Sequence, residues 1–303
     1  MNRLFFYLLL LMSVLLTSCI TFVEKDLDIK PKLVLHCYLI PQMDTTMLTL
    51  TNSVPLFGSN PKNIETVTNA IVEISEDNYR WVRMEYDSVY KNYFIPQVQF
   101  PITEGKTYYI RASAPGYETV SASCIVPYFR ETNFEVVVEA HTNCVHHGEP
   151  YPESHYHYYL KWKDYAGEEN YYIFYRNFIW IWDWNDWDID TSIIWEILWD
   201  EKGKPCLFSD HGQDGQNMSS LVTTYYLDDE ISEITMVQTD VHSYLYQRSI
   251  EDYNGDLGFF IIEPVKIYSN IKNGYGVFGA FGMRTYAIEQ PEKSHKVDKL
   301  LVR

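Results

Sequence analysis

Six residues between positions 141 and 157 have side chains that bind transition metals: His141, Cys144, His146, His147, His155 and His157. Imidazoles and thiolates are competent zinc ligands. His155 and His157 alternate, which puts both on one side of a strand. Their spacing matches no standard zinc signature. A second cluster is acidic and comprises Asp183, Asp186, Asp188 and Asp190. The pattern Asp186-x-Asp188-x-Asp190 resembles the start of a calcium loop. Its sixth position is Thr191, where glycine is required, and its twelfth is Ile197, with Glu196 one place early. An EF-hand is therefore excluded. We assign no metal; the candidates for one are His155, His157, Asp186, Asp188 and Asp190.

A third pattern, Gly274-Tyr275-Gly276-Val277-Phe278-Gly279, fits G-x-G-x-x-G. That fingerprint needs a strand before it and a helix after it, so that a helix N-terminus faces a pyrophosphate. Here Ala280-Phe281-Gly282 and a strand-like segment follow, so we read a glycine-rich turn where backbones approach closely and not a nucleotide site. Neither G-x-S-x-G nor H-E-x-x-H occurs. No catalytic residue is assigned and no cofactor is expected. The remaining candidate is aromatic. Trp180, Trp182, Trp184, Trp187, Trp195 and Trp199 are six of the chain's eight tryptophans. Exposed aromatic platforms bind sugars and partner proteins, whereas alternating ones also build cores. The loop at 183–190 is the part expected to be exposed, so Trp184 and Trp187 are the candidate ligand or partner contacts.

The elements that would hold these residues read as strands. From Lys32 to Val126 short apolar-alternating runs are separated by turn residues such as Asp77-Asn78, Glu104-Gly105 and Pro115-Gly116. The runs are Leu33–Leu39, Thr46–Thr51, Ala70–Ser75, Arg80–Tyr86, Tyr90–Phe94, Thr107–Ala114 and Thr119–Val126. Seven strands in that span predict an immunoglobulin-like β-sandwich over 32–127. Residues 128–303 predict a larger β-rich domain with one short helix, Asp240–Tyr253, whose N-terminus Asp240 can cap. The fold class is mostly β.

The first residues, MNRLFFYLLLLMSVLLTSC, place one arginine before an apolar run that ends in small residues. A membrane-spanning helix needs about 20 apolar residues. This run is shorter and has the anatomy of a signal peptide over 1–18. Leu16-Thr17-Ser18-Cys19 reads as a lipobox, making Cys19 the lipid attachment residue and 19–31 a tether. More than one acyl chain on that cysteine anchors a protein stably where a single chain does not.

The chain carries 41 acidic and 24 basic residues, a formal charge of −17. Such a surface repels nucleic acid, so none is expected as a partner. Aromatic residues make up 16% of the chain, including 26 tyrosines, which suits strands. Beyond Cys19 there are four cysteines, Cys37, Cys124, Cys144 and Cys206. An exported chain can pair them. Cys37 and Cys124 lie in strand-like runs and also read as small buried hydrophobes, while Cys144 and Cys206 lie in polar loops.

Several segments in order carry a resemblance. They are Leu33–Leu39, Val67-Thr68-Asn69-Ala70-Ile71-Val72-Glu73-Ile74, Glu104-Gly105-Lys106-Thr107-Tyr108-Tyr109-Ile110, Ala122–Pro127, and SNIKNGYGVFGA from Ser269. Behind a lipobox, this order resembles the Bacteroidota outer-membrane lipoprotein family catalogued as domain of unknown function 4249. The resemblance implies a non-enzymatic lipoprotein, lipid-anchored in the outer membrane. Its expected partner is a TonB-dependent receptor, which it would assist in ligand capture or uptake. A metal-dependent hydrolase on the cell envelope and a structural or adhesive surface lipoprotein are the alternative readings.

Overall fold

The computed structural model describes residues 30–54, 63–141, 144–146, 149–151, 155–183, 189–224, 231–255, 266–289 and 300–302. The chain is mostly β, with a single helix among these residues. Its first strands are β1 (Leu33–Leu39), β2 (Thr45–Asn52), β3 (Ile71–Ser75), β4 (Val82–Arg83), β5 (Glu85–Asp87), β6 (Asn92–Pro96), β7 (Thr107–Ser113) and β8 (Val120–Ile125). There follow β9 (Glu135–His141), β10 (Cys144–His146), β11 (Glu149–Tyr151), β12 (His155–Lys163), β13 (Tyr171–Asp183), β14 (Ile189–Ile197), β15 (Leu207–Ser209), β16 (Asn217–Thr224) and β17 (Glu233–Thr239). Helix α1 (Val241–Gly255), β18 (Tyr275–Ala287) and β19 (Leu300–Val302) complete the order.

Alternation of apolar residues decides the strand faces. In β1, Leu33, Leu35, Cys37 and Leu39 are buried while the residues between them are half-exposed. In β7, Tyr108, Ile110 and Ala112 do the same. These faces meet in one core shared by the sheet β4-β3-β7-β8 and the run β18-β1-β2-β6-β5 of a nine-stranded sheet. The expected strand Arg80–Tyr86 is broken at Met84. There the chain passes from one sheet to the other, since β4 pairs with β3 and β5 with β6. Met84 itself is buried in the core. Asp77 makes the preceding turn, accepting hydrogen bonds from the amides of Tyr79 and Arg80 at 2.9 and 2.8 Å.

A second core lies between the sheet β16-β12-β9-β19 and the other end of the nine-stranded sheet. Tyr156, Tyr158, Leu160 and Trp162 of β12 face Tyr172 and Phe174 of β13 and Ile234 and Met236 of β17. Strand β18 joins the two cores. Tyr275 to Ala280 run parallel to β1, and Phe281 to Ala287 run antiparallel to β17. Ile271, Phe278 and Ala280 belong to the first core, and Ile288 to the second. Residues 271–280, which the sequence places in the second unit, thus complete the first. The physical reason is burial: without β18 the polar edge of β1 and the apolar side chains beside it would face water.

The opposite face of the large sheet carries α1. Asp240 caps it, as its sequence position predicts: Oδ1 accepts from the amide of Ser243 at 2.9 Å. His36 Nε2 meets the hydroxyl of Tyr246 on α1 at 2.7 Å. The G-x-G-x-x-G segment, expected as a turn, lies instead on β18, because Tyr275 to Ala280 pair with β1, and no helix follows it. Gly276 has φ +105°, and a Cβ there would stand 2.1 Å from the Leu35 carbonyl oxygen. A Cβ on Gly279 would stand 2.0 Å from Ser243 Oγ of α1. Close approach, not phosphate binding, requires these glycines.

Cys37, Cys124 and Cys206 are free and buried. Burial pushes the Cys37 and Cys124 thiols well up and Cys206 up to about 12. Cys206 was expected in a polar loop. It is instead part of the second core, because β15 and the bridge Trp199–Pro205 fold its loop over β13.

Candidate functional site

Strand β8 is the edge of its sheet, and its two faces of backbone groups have different fates. Val126 directs its N–H to Lys106 O at 3.0 Å and receives Gly105 N–H at 2.8 Å, both on the β7 side. Ser121 exchanges both groups with Lys272 on the other side, at 2.9 and 3.4 Å. Even-numbered residues of β8 therefore bond β7, and the odd-numbered ones point out of the sheet. The segment at 270–273 covers the first part of this edge: Asn273 donates to Thr119 O at 3.1 Å and Asn270 to Ser123 O at 3.4 Å. Among the described residues, no hydrogen bond across the edge reaches the amide of Ser123 or either backbone group of Ile125.

That uncovered stretch opens into a cleft of about 430 Å³ between the two halves of the molecule. Its volume lies within the range of ligand sites. One wall is β8 with Pro127 and Tyr128; the other is Glu168–Tyr171 and the start of α1. The side chain of Ile125 is 58% exposed. Tyr128 packs over Gly105, where a Cβ would meet its ring at 2.4 Å. The Arg130 guanidinium lies between the Tyr128 and Tyr165 rings, 4.5 and 4.6 Å from their centres, and bonds Glu168 at 3.1 Å. Gln238, buried in β17, holds the Arg130 backbone by two reciprocal bonds of 2.8 and 2.7 Å. The rim of the cleft is therefore tied to the large sheet.

Its inner end is acidic. Asp240 is only 7% exposed, and Oδ1 also accepts from the Ala280 amide at 3.2 Å. Among the described residues, Oδ2 has no hydrogen-bond partner. Burial pushes the Asp240 carboxyl up, opposed by the Ser243 hydroxyl and then by the amides that bond it. His242 Nδ1 meets the Tyr268 hydroxyl at 2.7 Å with the rings stacked. Tyr171 bonds Glu169 at 3.1 Å; burial and then that carboxylate push its phenol up to about 12.

The family model described as Domain of unknown function (DUF4249) matches residues 20–287, which is most of the chain. The chain belongs to the DUF4249 family. No curated protein matches it. The matched span of this DUF4249 protein contains all three parts of the cleft.

Among the described residues, none of the metal or tryptophan candidates singled out by type and spacing lines the cleft. Cys19, Trp184, Trp187, Asp186 and Asp188 lie outside the described residues. Asp190 stands in β14 opposite Trp182, and His155 in β12 opposite His141. His157 is half-buried on the side of β12 away from the core, with its ring 6.2 Å from that of Tyr159. Trp195 and Trp199 are 44% and 40% exposed on the far edge of the large sheet. Three carboxylates that motif reading passed over do converge: the ligand atoms of Asp164, Asp210 and Asp214 lie within 4.8 Å of one another. They clamp loops. Asp164 accepts from Tyr172 and Gly215, Asp210 from Asn170, and Asp214 from Gly167, all at 2.7–3.0 Å. Burial, and then the Asp164 charge, push the Asp210 carboxyl up. Asp164 is 46 residues from Asp210, so only the fold brings the set together.

Proposed function

We propose that this DUF4249 protein is a non-enzymatic lipoprotein of the outer membrane, anchored through Cys19, that assists a TonB-dependent receptor in ligand capture or uptake. The observation that carries the capture role is the cleft at the end of β8. It combines unpaired strand-edge backbone, aromatic walls and a buried carboxylate, which is the chemistry of a recognition site. The lipobox ending at Cys19 and the family resemblance support the location and the partner. No helix among the described residues is long and apolar enough to cross a membrane; in this reading the lipid supplies attachment.

Two measurements test this. Labelled palmitate should enter the chain and fail to enter the Cys19→Ala variant, which should leave the membrane fraction. Affinity purification from native outer membranes should recover a β-barrel receptor. Recovery that depends on Trp184 and Trp187 would place those residues at the contact. Purifications that consistently lack a receptor would overturn the accessory role.

A further inference from the structure

We propose that an extended peptide with basic side chains adds as a strand to the open edge of β8, in the cleft between the two halves of the molecule. The proposal rests on the reading of this cleft as a capture site and names its ligand class.

The backbone argument comes first. Unpaired N–H and C=O groups on a strand edge form a template for another chain. Among the described residues, the outward groups are taken at Ser121 and at Thr119 just before β8, and left open at the Ser123 amide and at Ile125. The switch occurs within one strand, and the open part coincides with the cleft. Strand addition uses such groups for affinity and the neighbouring side chains for specificity.

Charge selects the side chains. Asp240 and Glu169 line the cleft together with Glu168, whose charge Arg130 already matches. Asp240 is the N-cap of its own helix, so the positive end of α1 is occupied by a carboxylate rather than open to an anion. One oxygen of that carboxylate has no partner among the described residues. Lysine or arginine on the added strand would face an acidic inner end, while alternate apolar residues would meet Ile125, Tyr128 and Tyr171. The tyrosine rings offer π faces that also attract cations.

The test uses the whole purified chain without any receptor. The probe is an acetylated, amidated octapeptide alternating valine and lysine, set against one alternating valine and glutamate. The lysine peptide should bind about tenfold more tightly or better, and its affinity should fall with salt. Amide hydrogen exchange at Ser123 and Ile125 should slow when it binds. Ile125→Pro removes an outward N–H and should abolish binding, while Pro at such an edge position leaves the β7 ladder intact. Glu169→Lys, an exposed substitution, and Asp240→Asn, which keeps the cap, should each weaken the lysine peptide and not the glutamate one.

No binding at millimolar peptide would overturn the proposal. So would equal affinity for both peptides, or protection of amides elsewhere than the β8 edge. A receptor recovered from membranes alongside such a result would leave the accessory role standing and remove only the peptide. Peptide binding without a receptor would do the reverse.

Discussion

The first half of β18 lies parallel to β1 and is buried on both faces; the second half lies antiparallel to β17 and is mostly half-exposed or exposed. In the first half, Phe278 and Ala280 enter the core of the N-terminal sheets while Gly279 lies under α1. In the second, Gly282 packs against Phe129 and Tyr286 against the other core, while Met283 joins a small apolar cluster on the opposite face. One strand thus has two compositions because it has two sets of neighbours. Where both faces are covered, small residues are needed for backbones and a helix to approach. Where one face is only partly covered, polar residues such as Arg284 and Thr285 are tolerated.

Substitutions along β18 and at its β1 neighbour can break or sharpen this contrast. Phe278→Ala should have the largest effect, a loss of about 3–5 kcal/mol in urea unfolding, because it empties a fully buried site. A loss near that of an exposed substitution would mean that the first half is not integral to the N-terminal core. Gly276→Ala should cost about 2–3 kcal/mol, combining strain at positive φ with a clash on the Leu35 carbonyl. Thr285→Val should cost only about 1 kcal/mol. It removes the nearer of two partners of the Thr235 hydroxyl, 2.7 Å away and fully buried on β17; the other is Asn177 Nδ2 at 3.5 Å. A double-mutant cycle with Thr235→Val should recover most of that loss, since neither hydroxyl is then left unpaired.

The smallest effect concerns pH at the helix-covered end. Burial pushes the His36 imidazole down from its ordinary value. The unfolded chain takes up this proton at about pH 6.5, and the folded chain only at lower pH. The unfolded state therefore carries more protons in that window, and stability falls as pH drops through it. Thermal melts from pH 7.5 to 5.5 should show a smaller loss for His36→Gln than for the natural chain. Identical slopes would mean that His36 is not held neutral under α1.

Local patterns were legible where a single face decides the outcome. The expected runs Leu33–Leu39, Thr107–Ala114 and Thr119–Val126 match β1, β7 and β8 to within a residue at each end, because alternation alone sets which side is buried. The cap at Asp240 was legible because it depends on residues three apart. The split at Met84 was not, since Val82 and Glu85 continue one strand-like pattern and only the spacing between two sheets separates them. Nor was the cleft. Its parts come from positions near 105, 125, 170 and 240, and none carries a motif.

Sequence by itself determined the β class, the turn at Asp77, the start of α1 and the need for glycine near 276. These follow from side-chain periodicity, backbone freedom and hydrogen bonds within a few residues. Only the tertiary structure decided that β18 serves two cores, that three aspartates meet across 50 residues, and that β8 is, among the described residues, covered at Ser121 and open at Ile125. Those outcomes depend on which distant backbone lies alongside, and the free energy that selects it comes from burial summed over many residues.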